Sequence, residues 1–275
     1  MHVLGIVGHS ETGKTTLVER LAERLSASGR VATVKHCTHP PDVDTEGKDT
    51  ARHRAAGGAE TVALTDDGEW YATGAERTLP ETLDDLAPDY DYALVEGYTE
   101  AAIPKVVLGE REAADPVLLR ASHGADADLD AVVEALHDRD PYVTLETLVD
   151  EVKAHPDEAF SGAIATFTGR VRARDGPEDP PTEYLEFERY DEVAAQKLAE
   201  LRDDLEARDG VYAVRLHHKT GVVEAGEDIV FVVVLAGHRT EAFRAVEDGI
   251  NRLKAEVPLF KKEVTVDEAF WAHER

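Results

Sequence analysis

The chain of 275 residues carries 57 acidic against 30 basic side chains, a formal net charge of −27, with acid in excess in both halves. So uniform a negative surface excludes a general nucleic-acid or membrane-binding face, and it matches proteins of a salt-rich cytosol, the halophilic type, where carboxylates hold water and salt screens their repulsion. Length predicts about two domains; the one cysteine, Cys37, excludes an internal disulfide; and with neither a signal-peptide pattern nor a membrane-length apolar stretch, a cytoplasmic soluble protein is expected.

From the amino end, Val3, Leu4, Ile6 and Val7 predict a buried strand, and Leu17, Leu21 and Leu25 recur at helical spacing up to Gly29, a C-terminal stop. Between them stands Gly8-x4-Gly13-Lys14-Thr15, which fits a phosphate-binding loop. Its glycines let backbone N–H groups converge on phosphate, Lys14 would reach the outer phosphate oxygens, and the Thr15 hydroxyl would hold Mg2+. A second strand, RVATVKH, runs into the polar loop CTHPPDVDTEGKD. His36, Cys37 and His39 there could suggest zinc, but their spacing fits no finger pattern, and a loop contacting nucleotide or a partner is the other reading. Further on, DYALVEGY puts an apolar strand before Glu96, which either sits near Mg2+ or is an ordinary strand-end cap.

The segments GHSETGKTTL, VKHCTHPPDVDTEGKDTARHRAAGGAE and ALVEGYTEAAIPKVVL resemble, in order and spacing, the molybdopterin-guanine dinucleotide biosynthesis protein B family over about residues 1–110. The resemblance implies an α/β P-loop NTPase-like fold and a GTP-binding, often dimeric, accessory protein that assists nucleotide attachment to molybdopterin. It implies nucleotide-binding roles for Gly8, Gly13, Lys14, Thr15 and Thr16, and a Mg2+ site at Thr15 and Glu96. Asp44, Lys48 and Asp49 fall in that family's loop after the second strand. The Asn-Lys-x-Asp element that reads guanine in ordinary GTPases is absent from the sequence, so the residues themselves leave ATP open.

A helix through Leu129, Val132, Val133 and Leu136, then the Asp140-Pro141 break, ends this pattern, giving domains 1–138 and 139–275. Beyond it SGAIATFTGRVR, TEYLEFERY, YAVRLHHKTG and EDIVFVVVLAG read as strands, and DEVAAQKLAELRDDLEAR and TEAFRAVEDGINRLKAEV as helices. That order predicts an α+β domain with helices against a mostly antiparallel sheet. Three of the chain's ten lysines crowd into its last helix and the segment after it, INRLKAEVPLFKKE. Lys254 falls in the last helical turn, and Pro258 turns the chain into LFKKEVTV, expected as an edge or short strand. Alternation sends Lys261 and Lys262 to opposite faces; Lys261 is the better candidate to join Lys254, although alternation alone allows either. Lysines clustered with other cations suit an anionic substrate and acid/base or nucleophilic chemistry. His238 and Arg239 precede the last helix, whose N-terminus favours an anion, and Arg170 and Arg172 are expected on one strand face.

GAIATFTGRVR, LEFERY, GHRTEAF, RLKAEVPLFKKE and FWAHE resemble the catalytic (large) subunit of molybdopterin synthase over roughly residues 141–273. The resemblance implies the large-subunit fold, of α/β hammerhead type. It also implies transfer of two sulfurs to cyclic pyranopterin monophosphate from the thiocarboxylated C-terminal Gly-Gly of a small ubiquitin-like partner. By motif match Lys254 would contact the partner's acyl terminus or the reacting intermediate. Lys261 would act as acid/base or bind substrate, and Arg172, His238 and Arg239 would bind the pterin phosphate. No tightly bound cofactor is implied for this half, and a homodimer is. The chain ends in His-Glu-Arg without Gly-Gly, so a separate sulfur donor is expected. RARDGPEDPPTE is expected as a variable hairpin loop. The alternative is an accessory, GTP-binding or scaffold protein whose C-terminal half only docks.

Overall fold

The computed structural model describes residues 1–39, 47–74, 76–174, 176–265 and 269–272, the last four by backbone alone. The chain forms two compact units, Met1–Tyr142 and Val143–Arg275. Among the described residues no helix is long and apolar enough to cross a membrane.

In the first unit the apolar run becomes strand β1 (His2–Gly8) and the Leu17, Leu21, Leu25 stripe becomes helix α1 (Lys14–Ser26). Each of those leucines is at most 1% exposed, and burying such a side chain stabilises by about 1.5–3 kcal/mol. Strand β2 (Val31–Lys35) follows, then helix α2 (Asp49–Ala55) and a two-stranded antiparallel sheet of β3 (Glu60–Leu64) and β4 (Trp70–Gly74). Helix α3 (Leu79–Leu86) opens with a Thr78/Glu81 capping box. Strands β5 (Tyr92–Glu96), β6 (Lys105–Leu108) and β7 (Val117–Ala121) and helix α4 (Leu129–His137) complete the unit. The main sheet runs β2-β5-β1-β6-β7 with every pairing parallel. Its central strands β5, β1 and β6 are buried along nearly their whole length, as a sheet covered on both faces requires, while the edge strands β2 and β7 are partly exposed. Asp49 opens α2 and so belongs to a helix and not to the expected loop, whereas Lys48 immediately precedes the helix with extended backbone; Asp44 lies outside the described residues.

At the amino ends of the strands, His2 stacks near Tyr92 and meets His137 edge-on at 5.2 Å, while the Tyr92 hydroxyl lies 3.1 Å from His137 Nε2. Burial first, then His137 and the N-terminal ammonium, hold the His2 imidazole below its ordinary value, against a hydrogen bond from its ring to the Leu136 backbone. The unfolded chain takes up this proton near the ordinary histidine value of about 6.5; the folded chain resists until lower pH. Stability contributed above that value is therefore lost as pH falls through the window below it. His2→Phe should flatten the acid limb of stability relative to the parent, read as urea midpoints between about pH 7.5 and 5; parallel curves would contradict the assignment.

In the second unit Thr144 caps helix α5 (Leu145–Lys153). After a short 3-10 turn come β8 (Ala163–Arg170), β9 (Thr182–Arg189), α6 (Asp191–Glu206), β10 (Val211–His218), β11 (Gly221–Glu224), β12 (Asp228–Ala236), α7 (Arg239–Glu256), β13 (Leu259–Thr265) and β14 (Ala269–Ala272). They form two antiparallel sheets, β10-β12-β8 and β11-β9-β13-β14. The core joins α6 and α7 to the first sheet through Leu201, Leu205, Val232, Val234, Ala245 and Leu253.

Three expectations change here. LFKKEVTV is no edge strand, because β13 is paired on both sides, by β9 and β14. The segment after β8 is not a hairpin loop of one sheet, because β8 and β9 lie in different sheets; the Thr182 N–H to Ala173 O bond at 2.9 Å only narrows its base. Arg170 and Arg172 do not share a strand face, since β8 ends at Arg170, which is tied to Asp228 at 3.0 Å and to the Gly226 carbonyl.

Candidate functional site

Two sites emerge, one in each unit. In the first, the chain leaves β1 at Gly8 and re-enters α1 at Lys14 around a tight loop. Gly13 sits at φ 79°, and a Cβ there would lie 2.5 Å from the His123 ring. Only glycine takes this backbone without strain. Lys14 Nζ bridges the loop, donating to Gly8 O at 3.1 Å and His9 O at 2.7 Å. A second loop clasps it from outside: Gly124 N–H donates to Thr12 O at 2.9 Å, and Arg20 holds Gly124 O at 2.7 Å. Thr16 is exposed on the first turn of α1, beside Thr15.

The Thr15 hydroxyl donates to Glu96 Oε2 at 3.1 Å, and Lys35 Nζ lies 3.3 Å from Glu96 Oε1. The Glu96 side chain, 12% exposed, thus reaches the first turn of α1 beside the Gly8–Lys14 loop. A hydroxyl and a carboxylate oxygen side by side are the hard donors Mg2+ takes, so the expected pair fits that ion. Bound there, Mg2+ would neutralise phosphate charge. Among the described residues no group of three His, Cys, Asp or Glu side chains converges as a metal cluster. His36 instead stacks on Tyr98, ring centres 4.5 Å apart.

In the second unit the site is built on β13. The registers Leu259↔Arg189, Lys261↔Phe187 and Glu263↔Leu185 put Lys261 on the inward face with Phe187 and Leu185, which are 5% and 8% exposed. Lys262 points the other way and is bound to Glu186 at 2.9 Å; that hydrogen bond, with the carboxylate's charge, raises its pKa and holds it as a cation. Lys261 is the inward lysine, and the two lysines take opposite faces as alternation predicts. Its neighbour is not a further cation: Glu263 Oε2 lies 4.0 Å away, and the Thr182 hydroxyl fixes the other carboxylate oxygen at 2.7 Å. Sequence reading missed Glu263 and Arg189. Both lie at an even number of residues from Lys261 or its register partner, so alternation combined with the pairing would have found them.

Lys254 is exposed in the last turn of α7, and Val257 N–H closes that end on Leu253 O. Lys254 and Lys261 thus flank one tight turn. His238 caps the other end of α7 and Arg239 opens it, both exposed. Fifteen residues of helix separate Arg239 from Lys254, about 22 Å along the axis. One chain therefore does not gather all the expected residues into a single pocket. Arg172 is exposed two residues past β8.

With this geometry in hand, the comparisons are specific. The family model for molybdopterin guanine dinucleotide synthesis protein B (MobB) matches residues 3–135, and that for MoaE protein matches residues 138–256. A probable molybdopterin synthase of Haloferax volcanii is 53% identical over 275 residues, covering 100% of both chains. A molybdopterin-guanine dinucleotide biosynthesis adapter protein of Haemophilus influenzae is 40% identical over 121 residues, 42% of this chain and 67% of that one. A molybdopterin synthase catalytic subunit of Staphylococcus aureus is 35% identical over 112 residues, 41% of this chain and 74% of that one. The chain belongs to the molybdopterin synthase family of molybdenum-cofactor biosynthesis, with a MobB domain fused ahead of its MoaE domain.

Proposed function

We propose that the C-terminal unit transfers sulfur from a thiocarboxylated, ubiquitin-like small subunit to cyclic pyranopterin monophosphate, giving the dithiolene of molybdopterin. The observation that carries this is Lys261, held inward on a doubly paired strand beside Glu263, a short turn from Lys254. In each transfer the donor sulfur bonds to a side-chain carbon of the pterin as that carbon's bond to oxygen breaks and the oxygen takes up a proton, and water then breaks the acyl–sulfur bond, returning the donor as a carboxylate. Negative charge develops on the acyl oxygen, where a fixed ammonium is most useful. Lys254 takes that role at the acyl terminus, and Lys261 handles the proton or the substrate. Arg172, His238 and Arg239 bind the pterin phosphate. Because α7 holds His238 and Arg239 far from Lys254, the working form is a homodimer in which a second copy supplies the anion-binding pair. The test is dithiolene formation in high potassium chloride with the loaded small subunit; a folded, partner-bound chain that makes no product would reduce this unit to a docking domain.

The N-terminal unit, on this reading, binds GTP with Mg2+ through Gly8, Gly13, Lys14, Thr15, Thr16 and Glu96 and assists formation of the guanine dinucleotide. Support comes from the strand–loop–helix geometry and the Thr15–Glu96 pair. Lys14→Ala removes the cation that spans the loop, and GTP affinity should fall by about a hundredfold or more in calorimetry. Unchanged affinity would remove the loop from the nucleotide site. Weak hydrolysis of GTP is compatible with this arrangement and is measured in the same samples.

A further inference from the structure

The His36–Tyr98 stack has no role in anything described so far, yet the fold holds it firmly. His36 follows the last residue of β2, and its N–H donates to Glu96 O at 2.9 Å; Tyr98 stands two residues past the end of β5. The rings lie within 25° of parallel. The chain reaches this arrangement through Gly97 at φ 100°, where a Cβ would come within 2.7 Å of His36 Cβ and only glycine fits, and Tyr98 at φ 53°, a left-handed backbone that is strained for an aromatic residue. The loop beyond is pinned from below by Lys105, which has no exposed surface and whose ammonium donates to Thr99 O at 3.1 Å and Ala101 O at 2.5 Å. A buried lysine spent on two loop carbonyls is a costly anchor for an incidental turn.

The position is informative. Carboxyl ends of the strands are where an open parallel sheet takes its ligands. Strand β5 alone separates β2 from β1, so the shelf lies about 10 Å across the strand ends from the phosphate loop. The Glu96 carboxylate, shared by Thr15 and Lys35, lies between them. His36 is exposed and Tyr98 half-buried, so the histidine is the more solvent-accessible member of the pair.

We propose that His36 and Tyr98 form a stacking shelf for a flat heteroaromatic ring whose phosphate tail lies in the Gly8–Lys14 loop, a form shared by a guanine nucleotide and a phosphorylated pterin. This rests on the phosphate-binding reading of that loop. The test is calorimetry on the full chain with Mg2+ and three probes of equal tail: GTP, neopterin triphosphate and tripolyphosphate. Loss of one stacking partner should weaken ring-bearing probes about tenfold. In His36→Ala, selective loss of GTP makes the ring guanine, and selective loss of neopterin triphosphate makes it the pterin; tripolyphosphate is unchanged in both cases. Tyr98→Asn, which tolerates the left-handed backbone, should repeat the pattern. If both ring probes bind the variants as well as they bind the parent, or if all three probes weaken alike, the shelf is overturned. If tripolyphosphate does not bind the parent, the phosphate reading fails by itself; the shelf then stands if His36→Ala weakens a ring probe and falls if no ring probe binds.

Discussion

Lys261→Ala should lower dithiolene formation by about a hundredfold or more, the range for loss of an acid/base group, while Lys262→Ala, its immediate neighbour, leaves the rate within about twofold. The contrast follows from β13. Lys261 faces inward against Phe187 beside Glu263, whereas Lys262 is spent on a half-exposed ion pair with Glu186. Equal effects of the two substitutions would mean that the strand's alternation does not organise the site. The separation along α7 adds a sharper result. If His238 and Arg239 serve the lysines of a second copy, Arg239→Ala and Lys261→Ala should each be nearly inactive alone, yet their mixture should regain activity. In randomly exchanged dimers half are mixed, and each mixed dimer holds one site with both groups intact, so about a quarter of parental activity returns. No recovery from demonstrably mixed dimers would return both groups to one chain.

The sequence disclosed the elements whose pattern is local. Val3 to Val7 and Leu17, Leu21, Leu25 need only their own spacing to become β1 and α1, and the glycines and Lys14 between them carry a loop whose chemistry is in the residues themselves. The four strands and two helices read in the second half are likewise present. What was hidden depends on distant pairing. Nothing within LFKKEVTV says that β9 and β14 flank it, and nothing near Thr182 says that β8 and β9 part into separate sheets. Glu263 became a neighbour of interest only once the register against Leu185 fixed its face. Helix α5 was legible in Leu145, Leu148 and Val152 at helical spacing behind a Thr144 cap, but its nine residues offer only two buried positions, too short a stripe to stand out beside the Asp140-Pro141 break. β3 and β4 were missed because Leu64 and Trp70 are exposed, 76% and 65%, so their pairing leaves no buried period to read. The reach of α7, by contrast, was available from numbering alone: fifteen helical residues cannot bring Arg239 to Lys254.

Gly124→Ala should be among the most damaging single-methyl changes in the first unit. A Cβ there would lie 2.0 Å from the Gly13 carbonyl oxygen and 2.8 Å from its carbon, both backbone atoms with no flexible end to swing aside. The two loops must then separate, and the Gly124 N–H to Thr12 O bond that clasps them lengthens or breaks. Overpacking of this kind costs about 1–3 kcal/mol, which for a unit of this size lowers its melting temperature by roughly 5 °C. The functional loss should be larger than the structural one. Gly13 lies at the N-terminus of α1, so its displacement moves the N–H groups and Lys14 proposed to converge on phosphate. Forfeiting one charge-assisted hydrogen bond, about 1.5–3 kcal/mol, already weakens GTP by tenfold or more. The control is Gly68→Ala, at a positive φ of 85° but with nothing within 4 Å of the added carbon. It should cost some stability through backbone strain and leave GTP affinity intact. Both are read by calorimetry and thermal melting of the same preparations, and a Gly124→Ala chain that binds GTP normally would mean that the 122–125 loop does not shape the phosphate site.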